Sequence, residues 1–71
     1  MNSNQSIVAE VPATDNITLR ITATVYGWSI THLFADGAEV WDGRTYTSEA
    51  NVREAANREW VRLREAAKVA A

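Results

Sequence analysis

Two hydrophobic periods divide this chain, and their order limits what it can fold into. From Ile17 to Tyr26, apolar residues alternate with polar ones, and β-branched side chains occur in both sets. Such alternation is typical of a strand with one buried face. From Val52 onward, apolar residues recur at three- and four-residue spacing, which indicates an amphipathic helix. The chain therefore predicts an α+β domain, an antiparallel sheet packed on one C-terminal helix in the order β-β-β-α.

Turn residues indicate how the strands connect. Gly27 ends the first strand, and a second β-prone run covers residues 28–35. Asp36-Gly37 predicts a hairpin with a type I′ turn, in which both central residues need positive φ. A third strand is predicted over residues 38–47, either bulged or split into two pieces by Asp42-Gly43.

The second strand has two candidate faces. Trp28, Ile30, His32 and Phe34 lie on one, and Ser29, Thr31 and Leu33 on the other. Leu33 breaks a clean alternation, so the pattern does not decide which face is inward, and a bulge would reconcile the two.

The helix has two possible starts. Thr47 or Ser48 can cap the first N–H groups, and Asn51 followed by Glu54 offers a later cap. The expected buried stripe, with Trp60 at its centre, consists of Val52, Ala55, Ala56, Trp60, Leu63, Ala67 and Ala70.

Length permits one domain, since the chain has 71 residues. Residues 1–16 are interpreted as a flexible N-terminal leader and residues 17–71 as the domain. Ile7, Val8 and Val11 are unusual in a leader, and they could instead form a fourth, edge strand or pair with another molecule.

Composition limits the cellular location and the kinds of site that we expect for this chain. The chain has no cysteine, so disulfides and cysteine-based zinc sites are excluded, and a reducing, cytoplasmic location is expected. No apolar run approaches the roughly 20 residues that cross a bilayer, and no membrane partner is expected. The net charge of −2 is small, but the excess of acidic over basic residues lies in the sheet half of the chain.

No convincing residue pattern for catalysis or for metal binding occurs in the sequence. Ser29, His32 and Asp36 could be imagined as a triad, but a shallow domain of this size offers little space that excludes water. Asp36, Glu39 and Asp42 recur every third residue without the further ligands of a calcium loop. We therefore expect a protein that is not an enzyme and uses no cofactor or metal.

The same acidic residues suggest a contact surface. Trp41 and Tyr46 flank them, and aromatic residues beside charges are typical of interface centres. The candidate partner-binding residues are thus Asp36, Glu39, Trp41, Asp42 and Tyr46, and a larger protein or nucleoprotein complex with a basic surface would complement them. The alternative is that Trp41 packs beneath the helix.

Residues 26–64 resemble the three-stranded sheet plus helix of integrase arm-type and plant AP2 DNA-binding domains. Gly27-Trp28, Asp36-Gly37 and the segment from Thr47 to Ala50 carry the resemblance. It implies a sheet inserted into the major groove, with Arg20, Arg44 and Arg53 as candidate contacts. The strands carry only Arg20 and Arg44 beside several carboxylates, which would repel phosphates, so DNA binding is the alternative function.

The whole chain is similar in type to small bacteriophage and mobile-element proteins, including anti-CRISPR inhibitors. It shares their short length, lack of cysteine, slight acidity, single sheet and helix, and several tryptophans. That resemblance implies a non-enzymatic inhibitor or adaptor that occludes a surface of a larger host protein. A homodimer formed by strand pairing is compatible with this function.

Overall fold

The structure, a computed structural model, describes residues 6–70 and consists of four strands and one helix. The strands are β1 (Ser6–Pro12), β2 (Ile17–Thr24), β3 (Gly27–Phe34) and β4 (Glu39–Trp41), and the helix is α1 (Glu49–Ala70). The strands form one antiparallel sheet in the order β1-β2-β3-β4. The predicted α+β fold is confirmed, and it includes the fourth strand.

Strand β1 comes from the segment interpreted as a leader. It pairs with β2, so Ile7, Val8 and Val11 belong to an edge strand, which is one of the alternatives stated for them. The register shifts between Ile7 and Ala9, and both Val8 and Ala9 pack against the core as a result. A bulge of this kind bends an edge strand. Residues 1–5 of the predicted leader lie outside the described residues.

The core lies between α1 and one face of the sheet. Its most buried large side chains are Leu19 of β2, Ile30 of β3 and Val52 of α1, each at most 2% exposed. Ala55 and Ala56 are also buried, and their small side chains let the helix backbone approach the strands. Each large apolar side chain removed from water contributes about 1.5–3 kcal/mol.

Trp60 does not occupy the centre of this core, contrary to expectation. It is only partly buried and packs against the margin, where its indole N–H reaches the carbonyl oxygen of Pro12 at 3.0 Å. The polar end of the indole is thus bonded at the edge of the sheet, which suits a side chain with one polar atom. Ala67, predicted in the same stripe, is exposed, and the side chain of Ala70 lies outside the described part.

The face of β3 that carries Trp28, Ile30, His32 and Phe34 is the inward one. Ile30 pairs with the buried Ile21 of β2. The register between β2 and β3 is unbroken, so the bulge considered for this strand is absent. Leu33 lies on the opposite face and is only half-buried.

The hairpin at Asp36-Gly37 is confirmed, but its predicted turn type is wrong. Gly37 has a φ of 99°, whereas no residue other than glycine has positive φ in the described chain. A type I′ turn needs positive φ at both central residues. The Asp36 carboxylate instead accepts a hydrogen bond from the Ala38 N–H at 2.9 Å, and Gly37 alone adopts the left-handed conformation.

The third predicted strand is split at Asp42-Gly43. Its first piece is β4, and its second is a single pairing of Tyr46 with Trp28 at the start of β3. Helix α1 then begins after Ser48, whose Oγ accepts a hydrogen bond from the Asn51 N–H at 3.1 Å. The earlier of the two predicted caps is therefore the one used. Within residues 6–70, no helix is long and apolar enough to cross a membrane.

Candidate functional site

The five residues predicted to bind a partner are distributed over different parts of the fold. Glu39 and Trp41 alternate along β4 and share the sheet face opposite α1, since Trp41 pairs with Thr31. Asp42 and Tyr46 instead line a cleft between the sheet and the helix. Asp36 holds the hairpin turn. The structure therefore brings Glu39 and Trp41 together on one surface, and Asp42 and Tyr46 on another.

We call the sheet face opposite α1 the open face. Its centre is a row of directly paired residues that crosses all four strands, in the order Glu10, Arg20, Thr31 and Trp41. A parallel row contains Ile7, Thr22 and Ser29. Paired residues of an antiparallel sheet project to the same side, so the open face combines hydroxyl groups, one cation, carboxylates and an indole.

Arg20 lies between two carboxylates of the open face. Its Nε is 2.8 Å from Glu10 Oε2, and its Nη1 is 3.6 Å from Glu39 Oε1. These pairs join β1, β2 and β4 across the sheet. Because two carboxylates face one guanidinium, the centre of the open face carries a net negative charge.

Large side chains surround this centre and remain accessible. Trp41 is 56% exposed and Tyr26 is 85% exposed. The alternative in which Trp41 packs beneath the helix is therefore wrong. With Arg20, Thr31 and Glu39, these aromatic residues line a shallow depression of about 600 Å³. Exposed aromatic side chains around a polar centre are typical of interaction surfaces.

The three candidate DNA contacts do not form one surface. Arg20 is occupied by Glu10 and Glu39 on the open face. Arg44 follows β4 and lines the cleft on the helix side. Arg53 lies on α1, with its Nε 2.8 Å from Glu49 Oε2. The open face thus presents a single arginine, neutralised by its neighbours.

The second feature, which we call the edge cleft, has a volume of about 330 Å³ and lies between α1 and the β3–β4 side of the sheet. Ile30 and Ala55 contribute apolar surface. Its polar and charged lining consists of His32, Asp42, Arg44, Tyr46, Arg58, Glu59 and Arg62.

Inside the edge cleft, Glu59 connects the helix to the sheet. Its Oε2 lies 2.9 Å from His32 Nε2, and its Oε1 accepts a hydrogen bond from Arg62 Nε at 2.9 Å. Hydrogen bonding from Arg62, and then from His32, lowers the pKa of Glu59 to about 2 from its ordinary 4.5, although desolvation acts in the opposite direction. Glu59 is therefore an ionised, partly buried carboxylate at neutral pH.

Tyr46 and Asp42 form the other bonded pair of the edge cleft. The Tyr46 hydroxyl donates to Asp42 Oδ2 at 2.9 Å. Burial raises the pKa of Tyr46, its bond to Asp42 raises it further, and the positive charges of Arg44 and Arg58 oppose this rise. Both arginines line the same cleft as the phenol.

Sequence reasoning missed the edge cleft, although one signal for it was present. Glu59 follows Val52 by seven residues, Ala55 by four and Ala56 by three. A carboxylate in that position points toward the buried side of a helix. His32, on the inward face of β3, is a basic partner for this carboxylate.

The imagined triad is not assembled. Ser29 and His32 are three residues apart on β3, so their side chains project to opposite faces of the sheet. Asp36 is engaged with the Ala38 N–H at the hairpin. Among residues 6–70, no group of three or more histidine, cysteine, aspartate or glutamate side chains could hold a metal ion.

No family model, curated protein or solved structure matches the chain.

Proposed function

We propose that this chain is a non-enzymatic binding protein that uses the open face of its sheet to occlude a surface of a larger protein. The observation that carries the proposal is the exposure of Trp41, 56%, at the end of the charged row. Within the described residues, α1 packs on the other face only. A half-exposed indole beside charged groups is a favourable anchor for a partner's pocket.

Charge defines the kind of partner. Glu10 and Glu39 outnumber Arg20 at the centre of the open face, and both glutamates are substantially exposed. Asp36 adds a further negative charge at the hairpin next to β4. A protein surface that carries lysine or arginine would complement this face, and like-charged surfaces would be rejected.

The same charges disfavour DNA as the occupant of the open face. Phosphate groups would meet Glu10 and Glu39 before they reached Arg20, which already forms ion pairs with both. Sequence-independent affinity for DNA depends on cations that neutralise phosphates. Insertion of this sheet into a major groove therefore remains the alternative proposal.

An inhibitor or adaptor encoded by a phage or mobile element, of the anti-CRISPR type, would function in this way in the cytoplasm. Support for that form of the proposal comes from the short, cysteine-free chain and from its one-sided sheet. Occlusion needs only a stable scaffold and a complementary face, which a domain of this size can supply.

A charge-reversal pair tests the open face. Tagged wild type, Glu39→Arg and Glu65→Arg are used for capture from nuclease-treated bacterial lysate, and bound proteins are identified by mass spectrometry. Both substitutions make the same charge change, but Glu65 lies on α1, 3.7 Å from Lys68. We expect a stoichiometric protein that wild type and Glu65→Arg retain and Glu39→Arg loses.

Other outcomes contradict the proposal. A protein that Glu39→Arg captures as well as wild type does would show that the open face is not the contact. Recovery of DNA alone, when nuclease is omitted, would favour the DNA-binding alternative, and loss of that DNA in Arg20→Glu and Arg44→Glu would assign it to those residues.

Self-association through β1 is a second proposal, which is compatible with the first. Ile7 and Val11 are 60% and 40% exposed on this edge strand, and among residues 6–70 β1 has a neighbouring strand on one side only. Edge strands with exposed apolar residues can pair between molecules. Light scattering at micromolar concentration should give a dimer mass that Val11→Lys reduces to the monomer, and a monomer mass for wild type would rule pairing out.

A further inference from the structure

The edge cleft carries more positive charge than its own carboxylates neutralise. Its charged lining comprises two carboxylates and three guanidinium groups, namely Asp42, Glu59, Arg44, Arg58 and Arg62. Each carboxylate is already bonded within the cleft, to the Tyr46 hydroxyl or to Arg62 and His32. Asp42 keeps its negative charge when it accepts from the neutral hydroxyl, so the charged lining has an excess of one positive charge.

Arg44 is positioned by its backbone. Its N–H donates to Asp42 Oδ1 at 2.9 Å, and its carbonyl oxygen accepts a hydrogen bond from Trp41 Nε1 at 3.0 Å. Among residues 6–70, its guanidinium makes no ion pair. The loop thus fixes the backbone of a residue that lines the cleft, and the guanidinium donors of that residue are available to a ligand.

Arg58 approaches the same cleft from α1. Its Nη1 is 3.7 Å from Glu54 Oε2, and both side chains are about two-thirds exposed. Exposed pairs of this length contribute little free energy, so Arg58 can exchange Glu54 for a stronger acceptor. Arg62 uses its Nε and Nη2 on Glu59, which leaves its remaining donors for a third contact.

We propose that the edge cleft binds the phosphate group of a small phosphate monoester, with Arg44 and Arg58 as the principal contacts. A phosphate dianion offers three terminal oxygens and can engage guanidinium groups from separate elements, whereas one arginine can satisfy a carboxylate. Arg44 and Arg58 belong to separate elements. This site lies on the side of the sheet opposite the open face, so it does not depend on the proposed partner contact.

The apolar part of the cleft accommodates the organic body of the ligand. Ile30 and Ala55 are both buried residues of its lining. A volume of about 330 Å³ is at the lower end of the range for small-molecule sites. This volume leaves room for a small organic body beside the phosphate group.

Titration of the ¹⁵N-labelled chain with phenyl phosphate, followed by NMR, tests the site. We expect saturable shifts for the amides of Ile30, Tyr46 and Arg58. Arg44→Gln and Arg58→Gln should each weaken binding by about tenfold, as expected for loss of a charge-assisted contact. Arg53→Gln is the matched control, because it removes the same charge from α1 but lines the groove beside β1; its affinity should be unchanged.

Further probes distinguish the ligand classes. Weaker binding of inorganic phosphate and of benzoate would support the assignment of a phosphate with an organic body. Equal affinity for benzoate would overturn the preference for phosphate. Absence of a saturable shift would overturn the site, as would shifts that Arg44→Gln and Arg58→Gln leave unchanged in folded protein. A short DNA duplex that binds through the same residues more tightly than phenyl phosphate would replace the small-molecule proposal with a nucleic-acid one.

Discussion

Trp60 and Pro12 are 48 residues apart in the chain, and the indole N–H of Trp60 donates a hydrogen bond to the carbonyl oxygen of Pro12 at 3.0 Å. The guanidinium of Arg64 lies over the same indole, 4.9 Å from its centroid, and donates to the carbonyl oxygen of Ala13 at 3.2 Å. Helix α1 thereby holds the end of the edge strand β1, which has one neighbouring strand, β2, in the part of the chain that the structure describes.

Replacing Trp60 with phenylalanine should loosen β1. The ring remains, but the bond to Pro12 is lost, so the free energy of unfolding should fall by about 1 kcal/mol. Trp41→Phe is a matched control, because it removes an indole bond to the nearby Arg44 carbonyl without affecting the join between helix and edge strand. Urea denaturation gives the stability, and hydrogen exchange should show faster exchange in β1 for Trp60→Phe only. Equal β1 protection in both variants would contradict this role.

Gly27→Ala should be more damaging than Gly37→Ala. Both glycines have positive φ, at 130° and 99°, so alanine is strained at either position. At Gly27, the added Cβ would also lie 2.5 Å from the carbonyl oxygen of Tyr46, whereas at Gly37 nothing lies within 4 Å. We expect a loss of about 1 kcal/mol at Gly37 and clearly more at Gly27, measured by thermal or urea unfolding. Equal losses would show that the contact with Tyr46 relaxes without cost.

Val52→Ala should locate the centre of the core. Val52 is 0% exposed, whereas Val61 on the same helix is 45% exposed. Truncation of the buried valine removes apolar contacts and leaves a cavity, at a cost of roughly 1–3 kcal/mol. The same substitution at Val61 should change the free energy of unfolding by less than about 0.5 kcal/mol. Similar losses at the two positions would contradict the described orientation of α1.

The elements were predictable where one residue pattern determined them. Alternation from Ile17 identifies β2 and the glycine after Asp36 identifies the hairpin, whereas the sequence leaves two starts open for the helix. Local patterns do not state register, however. The central row of the open face depends on pairings across three strand boundaries, which join Glu10, Arg20, Thr31 and Trp41. This row could therefore not be assembled from the sequence.

The errors have a similar physical origin. The Asp36-Gly37 dipeptide predicts positive φ at both residues, but the Asp36 carboxylate accepts a hydrogen bond from the Ala38 N–H and only Gly37 of the two takes the left-handed conformation. The apolar stripe of the helix predicts Trp60 at the centre of the core, but Trp60 lies at its margin. The N–H of an indole needs an acceptor, and the Pro12 carbonyl at the sheet margin supplies it. Both hydrogen bonds depend on where the partner's backbone lies, which the sequence pattern does not show.

Glu59 should make stability fall on acidification. Its pKa is held at about 2 by Arg62 and His32, below the ordinary 4.5, so between these values the unfolded chain binds the proton more readily. The stabilisation is therefore complete above about pH 5 and is lost as pH falls toward 2. We expect roughly 1–2 kcal/mol, less than the full shift would give, because Arg62 is largely exposed.

Urea denaturation of wild type and Glu59→Gln between pH 2 and 7 measures this contribution. The difference in free energy of unfolding should be largest near neutral pH and shrink through the acidic range, where the wild-type carboxylate becomes protonated. Glu54→Gln is the control, since Glu54 only forms a 3.7 Å pair with Arg58 between exposed side chains and should give a small difference at every pH. A Glu59→Gln difference that stays constant from pH 7 to pH 2 would mean that the His32–Glu59–Arg62 bonds do not stabilise the fold through charge.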